Sequence, residues 1–133
     1  MAEGIARAHF DGSKGDFFIG SAGVAAMDGL LTSPEAVAAL DRRGIGFTGR
    51  SKALTPEMIQ KADLVLCMTS SHQAAAAHLA AGDTELLDRI HLLDPDGGGV
   101  ADPIGQGQEV YDRVAEQLAK LIPPRVESLL APT

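Results

Sequence analysis

The chain has no tryptophan, one tyrosine and one cysteine among 133 residues. A lone cysteine, Cys67, excludes an intrachain disulfide and suits a reducing compartment such as the cytoplasm. Positive charge is scarce: 11 Lys and Arg stand against 18 Asp and Glu, for a net charge of −7. Nucleic acid and anionic membranes select the opposite sign, so neither is an expected partner. The one local exception is the basic group Arg42, Arg43, Arg50 and Lys52, which reads as a solvated loop. No apolar run approaches the ~20 residues of a membrane span. No basic segment followed by an apolar one opens the chain, so no secretory signal is expected. Internal repeats and low-complexity segments are absent too, with seven prolines and fifteen glycines spread along the sequence.

What remains is an ordinary globular composition, 45% hydrophobic and 22% charged, in a length that fits a single domain over residues 1–133. Residues Ala2 to Phe10 carry Ala2, Ile5, Ala6 and His9 at helical spacing. After the loop "DGSKGD", Phe17 to Ala22 reads as a short buried strand. "TSPEAVAALDRRG" predicts a helix with Ser33 as N-cap, Pro34 at the first position and Gly44 as the stop. "TPEMIQKAD" repeats that start signal with Thr55 and Pro56. Asp63 to Met68, "DLVLCM", has the near-continuous apolar pattern of a strand buried on both faces. An alanine-rich helix follows, closed by Gly82, then a short helix near Glu85 to Asp88. "RIHLLD" is the third expected strand. A glycine-rich loop leads into a helix from about Gln108 to Leu121, with a break at Pro123-Pro124 and a resumption over 125–130. This alternation predicts an α/β fold, a three-layer α-β-α sandwich around a parallel sheet of three strands. Ligands of such sheets bind beyond the carboxyl ends of the strands.

Three patterns that suggest chemistry do not hold. "GIGFTG" matches a dinucleotide-loop spacing at Gly44, Gly46 and Gly49, but it follows a helix and opens none. His72 and His78 lie six apart on a helix and so share no face, which disfavours a metal pair. His91 reads as a strand residue. No metal or other cofactor is expected. Cys67 sits inside "LVLCM", an apolar setting that leaves a thiol protonated and inert. The most informative stretch is "GGGVADPIGQGQEVYDRV". It places Asp102 in a loop past a strand's carboxyl end and just before a helix. A carboxylic acid there can protonate a leaving group, although Asp-Pro is also a common turn.

Taken in order, "MAEGIAR", "SAGVAAMDG", "SPEAVAALDRRGI", "KALTPEMIQKADLVLCMTSSH" and "ADPIGQGQEVYDRV" resemble the low-molecular-weight protein tyrosine phosphatase family. That family includes bacterial protein-tyrosine and protein-arginine phosphatases and related arsenate reductases. The resemblance implies a four-stranded parallel sheet with helices on both faces. It also implies hydrolysis of phosphoprotein monoesters through a cysteinyl-phosphate on a Cys-x5-Arg loop, with the phosphate held at a helix N-terminus. By the same resemblance Asp102 is the general acid, Ser21 supports the phosphate loop, and Met27 and Ile104 stand where aromatics usually wall an aryl phosphate. Methionine and isoleucine keep that wall apolar without ring stacking, worth about 0.5–1.5 kcal/mol per pair. Gly49 replaces the family's usual histidine before "RSK".

In the family, a first strand and the Cys-x5-Arg loop precede a segment like "MAEGIAR", and these 133 residues contain neither. The expectation is an N-terminally truncated phosphatase domain, marginal as an isolated monomer and inactive as written. A homo-oligomer through the exposed sheet is one way to cover its edges. Two accounts of such a chain stand side by side. It is a truncated form of a full phosphatase acting on a phosphoprotein substrate, or a non-catalytic phosphatase-like protein that binds or oligomerises.

Overall fold

The computed structural model describes residues 1–10, 18–23, 28–47 and 49–130. The first helix, α1, covers Ala2–Phe10 and buries Gly4, Ile5 and Phe10. An ion pair between Glu3 and Arg7 at 3.0 Å supports it at i,i+4 spacing. Gly4 permits close packing: a β-carbon there would meet Leu40 Cδ1 and Phe47 Cγ, each at 3.1 Å. Helix α2, Pro34–Asp41, starts as its sequence predicts, with the Ser33 side chain accepting from the Ala36 N–H at 3.4 Å. Its C-terminal turn closes through Gly44 at φ +75°, a left-handed position that suits glycine. Helix α3, Pro56–Lys61, repeats the device with Thr55 accepting from Met58 N–H at 3.3 Å.

Strand β1, Val65–Cys67, pairs in parallel with β2, Ile90–Leu92, in the register Val65–Ile90, Leu66–His91 and Cys67–Leu92. Between them run α4, Ser70–Leu79, and α5, Thr84–Leu87, capped by Thr69 and Asp83. Alternation along β1 sorts side chains to two faces. Val65 and Cys67 belong with Ile59, Ala76, Leu86 and Ile90. Leu66 and Met68 pack instead on the larger cluster that holds Ile5, Leu40, Leu93, Tyr111 and Leu118. Helices therefore cover both faces of the sheet, and the expected three-layer α/β arrangement is present.

Two details of the sequence reading change. Phe17 lies outside the described residues, and residues 18–22 of its expected strand form no ladder. Phe18 is fully exposed, and the carbonyl of Ile19 is taken by the Arg7 side chain. Just beyond them, Gly23 makes an isolated parallel bridge to Ala53. The described residues thus hold a two-stranded sheet rather than the expected three strands. The second change is α6, which runs unbroken over Gln108–Leu130 through Pro123 and Pro124. An interior proline costs a helix ~3 kcal/mol or more. Tertiary packing offsets that cost here. Leu118 and Ile122 are buried on one side, and the Arg125 side chain donates to the Leu92 carbonyl at 2.9 Å on the far side of the prolines. Among the described residues no helix is long and apolar enough to cross a membrane.

Candidate active site

The carboxyl end of β1 runs into Thr69, whose hydroxyl accepts from His72 N–H at 3.2 Å and opens α4. The carboxyl end of β2 runs into a loop that reaches α6. That loop is anchored early. Val100 is buried and its N–H donates to the Met68 carbonyl at 2.8 Å, which ties the loop to the end of β1. Gln117 of α6 also donates to the Gly99 carbonyl at 3.4 Å.

Asp102 follows two residues after this anchor, with its side chain exposed. One carboxylate oxygen accepts from Ile104 N–H at 3.1 Å, the closed turn that aspartate before proline favours. Gln106 locks the same turn from the other side. Its side-chain amide donates to the Asp102 carbonyl at 3.0 Å, and its backbone N–H to the Pro103 carbonyl at 3.0 Å. A carboxylic acid held this way, with its second oxygen open to solvent, can exchange a proton with a bound group. Ile104 shares the turn and is 72% exposed, so it offers an apolar surface beside the acid.

Ser21 lies in the segment before Gly23. Its hydroxyl donates to Glu3 Oε1 at 2.7 Å, and Glu3 pairs in turn with Arg7. Arg7 donates through Nε and Nη2 to the Ile19 carbonyl at 3.1 and 2.7 Å. The start of α1 therefore braces residues 19–21. Among the described residues no hydrogen bond or ion pair joins this cluster to the Asp102 turn. Asp102 and Ile104 are brought together in one turn, Ser21 is held against the start of α1, and Met27 falls outside the described residues. Gln106 was invisible to sequence reasoning, because a glutamine folding back across a turn leaves no periodic mark. The i,i+4 spacing of Glu3 and Arg7 was the available signal for the other cluster.

Cys67 is 7% exposed within the smaller apolar cluster. Burial pushes its thiol pKa up, opposite to what a nucleophilic thiolate needs. At the sixth residue beyond it, where the arginine of a Cys-x5-Arg loop would stand, is Gln73. Among the described residues no group of three or more His, Cys, Asp and Glu side chains could hold a metal ion.

Comparison with known proteins bears on the family and the fold. A low-molecular-weight protein tyrosine phosphatase structure from T. tengcongensis superimposes with a TM-score of 0.83 at 36% identity, over 96% of this chain and 88% of that one. The protein-arginine-phosphatase of Bacillus subtilis is 29% identical over 123 residues, 92% of this chain and 82% of that protein. The protein of the same name from Geobacillus stearothermophilus is 33% identical over 110 residues, 82% of this chain and 74% of the other. The family model for low molecular weight phosphotyrosine protein phosphatase matches residues 1–131, and the chain belongs to that family.

Proposed function

We propose that the turn beyond β2 is the acid half of a phosphomonoesterase site acting on phosphoprotein. Asp102 protonates the leaving group and then activates water, Ile104 and Met27 wall the pocket, and Ser21 supports the phosphate side. The observation that carries this reading is the doubly fastened Asp102 turn. Phosphoarginine is the favoured substrate. Two similar proteins are named protein-arginine-phosphatases, and an aliphatic wall such as Ile104 suits a guanidino group's alkyl stem as well as a ring. The polypeptide works in the cytoplasm, as its single buried thiol suits.

We infer that Cys67 does not attack phosphorus, because its thiol is buried and burial pushes its pKa up. We therefore expect no turnover of p-nitrophenyl phosphate or phosphoarginine above the buffer rate from this polypeptide. Turnover abolished by Asp102→Asn would refute that expectation. The role of Asp102 has its own test. A strand and Cys-x5-Arg loop fused ahead of Met1 should create hydrolysis, and Asp102→Asn should then lower it about 10²–10⁴-fold. Created hydrolysis that is indifferent to Asp102→Asn sinks the assignment.

A second reading, a non-catalytic oligomerising protein, is favoured by the sheet edge. Val65 and Cys67 bond toward β2, while the other edge of β1 takes no strand among the described residues. Sedimentation equilibrium decides it: a monomer at all concentrations would exclude this reading.

A further inference from the structure

Residues 101–107 are held by hydrogen bonds rather than by packing. Asp102, Ile104, Gly105, Gln106 and Gly107 are all exposed, and the flanking buried anchors are Val100 on one side and Tyr111 on the other. Gly105 at φ +74° and Gly107 at φ +89° take left-handed conformations, and a β-carbon at either would meet nothing within 4 Å. Their handedness bends the chain, and no neighbour presses it into place. Gln106 sits between them, and its side chain folds back instead of extending into solvent. Among the described residues it is the one side chain, apart from that of Asp102 itself, that bonds the backbone of 101–107.

Such a bond adds little to global stability. An exposed amide is already satisfied by water, and folding a glutamine back costs rotamer freedom. Its effect is local. Two kinds of torsion aim the Asp102 carboxyl group, the backbone ψ and the side-chain χ angles. The Gln106 amide, 3.0 Å from the Asp102 carbonyl, fixes the peptide plane and with it ψ. The Ile104 N–H, 3.1 Å from Oδ1, fixes the side chain. Oδ1 is thereby engaged as an acceptor, and Oδ2 is the oxygen left to carry a proton. Without the amide the 102–103 peptide plane can rock and carry the Ile104 N–H away from Oδ1.

Gln108, two residues on, is fastened to other groups. Its amide donates to the Glu35 carbonyl at 2.9 Å and to Asp112 Oδ1 at 3.0 Å, and Asp112 pairs with Arg42. Those bonds seat the start of α6 on α2 and do not reach the Asp102 turn. The sequence "GQGQ" therefore holds one glutamine that aims the acid and one that docks the helix.

We propose that Gln106 is a positioning residue for Asp102, holding its carboxyl group in one orientation with Oδ2 free. The catalytic consequence rests on the phosphatase reading of Asp102, and the structural one rests on the two bonds of the turn.

Both consequences are measurable. In the 133-residue protein, the Hα–Hβ couplings of Asp102 report its χ1 rotamer by NMR. The parent should show a single rotamer. Gln106→Ala should show averaged couplings and faster amide exchange at Ile104, with the melting temperature nearly unchanged. Gln106→Lys returns a donor on a longer stem and should restore the single rotamer. Gln108→Ala should do the reverse of Gln106→Ala, lowering the melting temperature and leaving the rotamer fixed. Averaged couplings in the parent, unchanged couplings in Gln106→Ala, averaging that persists in Gln106→Lys, or equal averaging in Gln108→Ala overturns the proposal. The second measurement uses the form with a strand and Cys-x5-Arg loop fused ahead of Met1. There Gln106→Ala should lower kcat about three- to tenfold with KM little changed, and should add nothing once Asp102→Asn is in place. Hydrolysis that depends on Asp102 but not on Gln106 overturns this inference alone. Hydrolysis indifferent to Asp102→Asn removes the phosphatase reading instead, and the couplings in the 133-residue protein still decide whether Gln106 aims the side chain.

Discussion

The two apolar clusters that sandwich the β1–β2 sheet are assembled from different parts of the chain. The smaller one draws its buried residues from Ile59 to Ile90, a single run through α3, β1, α4, α5 and β2. The larger one joins Ile5 and Phe10 to Tyr111, Leu118 and Ile122, so it closes only when the two ends of the chain meet. Local contacts form early and cheaply, whereas contacts across a hundred residues must first overcome loop-closure entropy. One face of the sheet is thus a self-contained unit. The other is a clasp between α1, α2 and α6.

That contrast can be broken at its strongest point. Leu40 has no exposed surface and lies in the clasp. Leu40→Ala should cost about 2–5 kcal/mol, read as a fall in the denaturant midpoint. A smaller loss is expected at Cys67. Cys67→Ser puts a hydroxyl into the apolar smaller cluster and should cost about 1–3 kcal/mol. Ile59→Val in the same cluster should cost about 0.5–1.5 kcal/mol. Hydrogen exchange sharpens the comparison. In Leu40→Ala the amides of α1 and α6 should lose protection before those of β1 and α4, and uniform loss would show that the two faces unfold as one.

The Cys67 thiol adds a pH dependence. Its folded pKa is raised by burial, so the unfolded chain ionises first. The associated stability is complete below the unfolded thiol's ordinary value near 9.0, and is lost as pH rises through the folded value. Urea melts at stepwise alkaline pH should show that loss in the parent and not in Cys67→Ala. The smallest effect is a gain. Ala81 sits at φ +53° just beyond α4, and Ala81→Gly should raise stability by up to about 1 kcal/mol, visible as a higher melting temperature.

Local signals in the sequence translated well where the structure depends on local chemistry. Ser33-Pro34 and Thr55-Pro56 start helices as read, and Gly44 closes one. The apolar run before Cys67 is a strand flanked by helices on both faces. Errors came where distant partners decide the outcome. Residues 18–22 have a strand's composition, but a strand needs a neighbour, and Arg7 holds the Ile19 carbonyl instead. Pro123 and Pro124 have a break's composition, yet the burial of Ile122 and the reach of Arg125 carry α6 through them. The turn at Asp102 was legible because Asp-Pro in a glycine-rich loop before a helix is a local pattern. Its fastening by Gln106 was not, since nothing in the spacing says which way a long side chain folds.

The seclusion of Cys67 has a practical side. A protein whose one native thiol is shut inside its core needs no cysteine removed before site-directed labelling. Ala8→Cys would set a maleimide dye on the exposed side of α1 while the native sulfur stays silent.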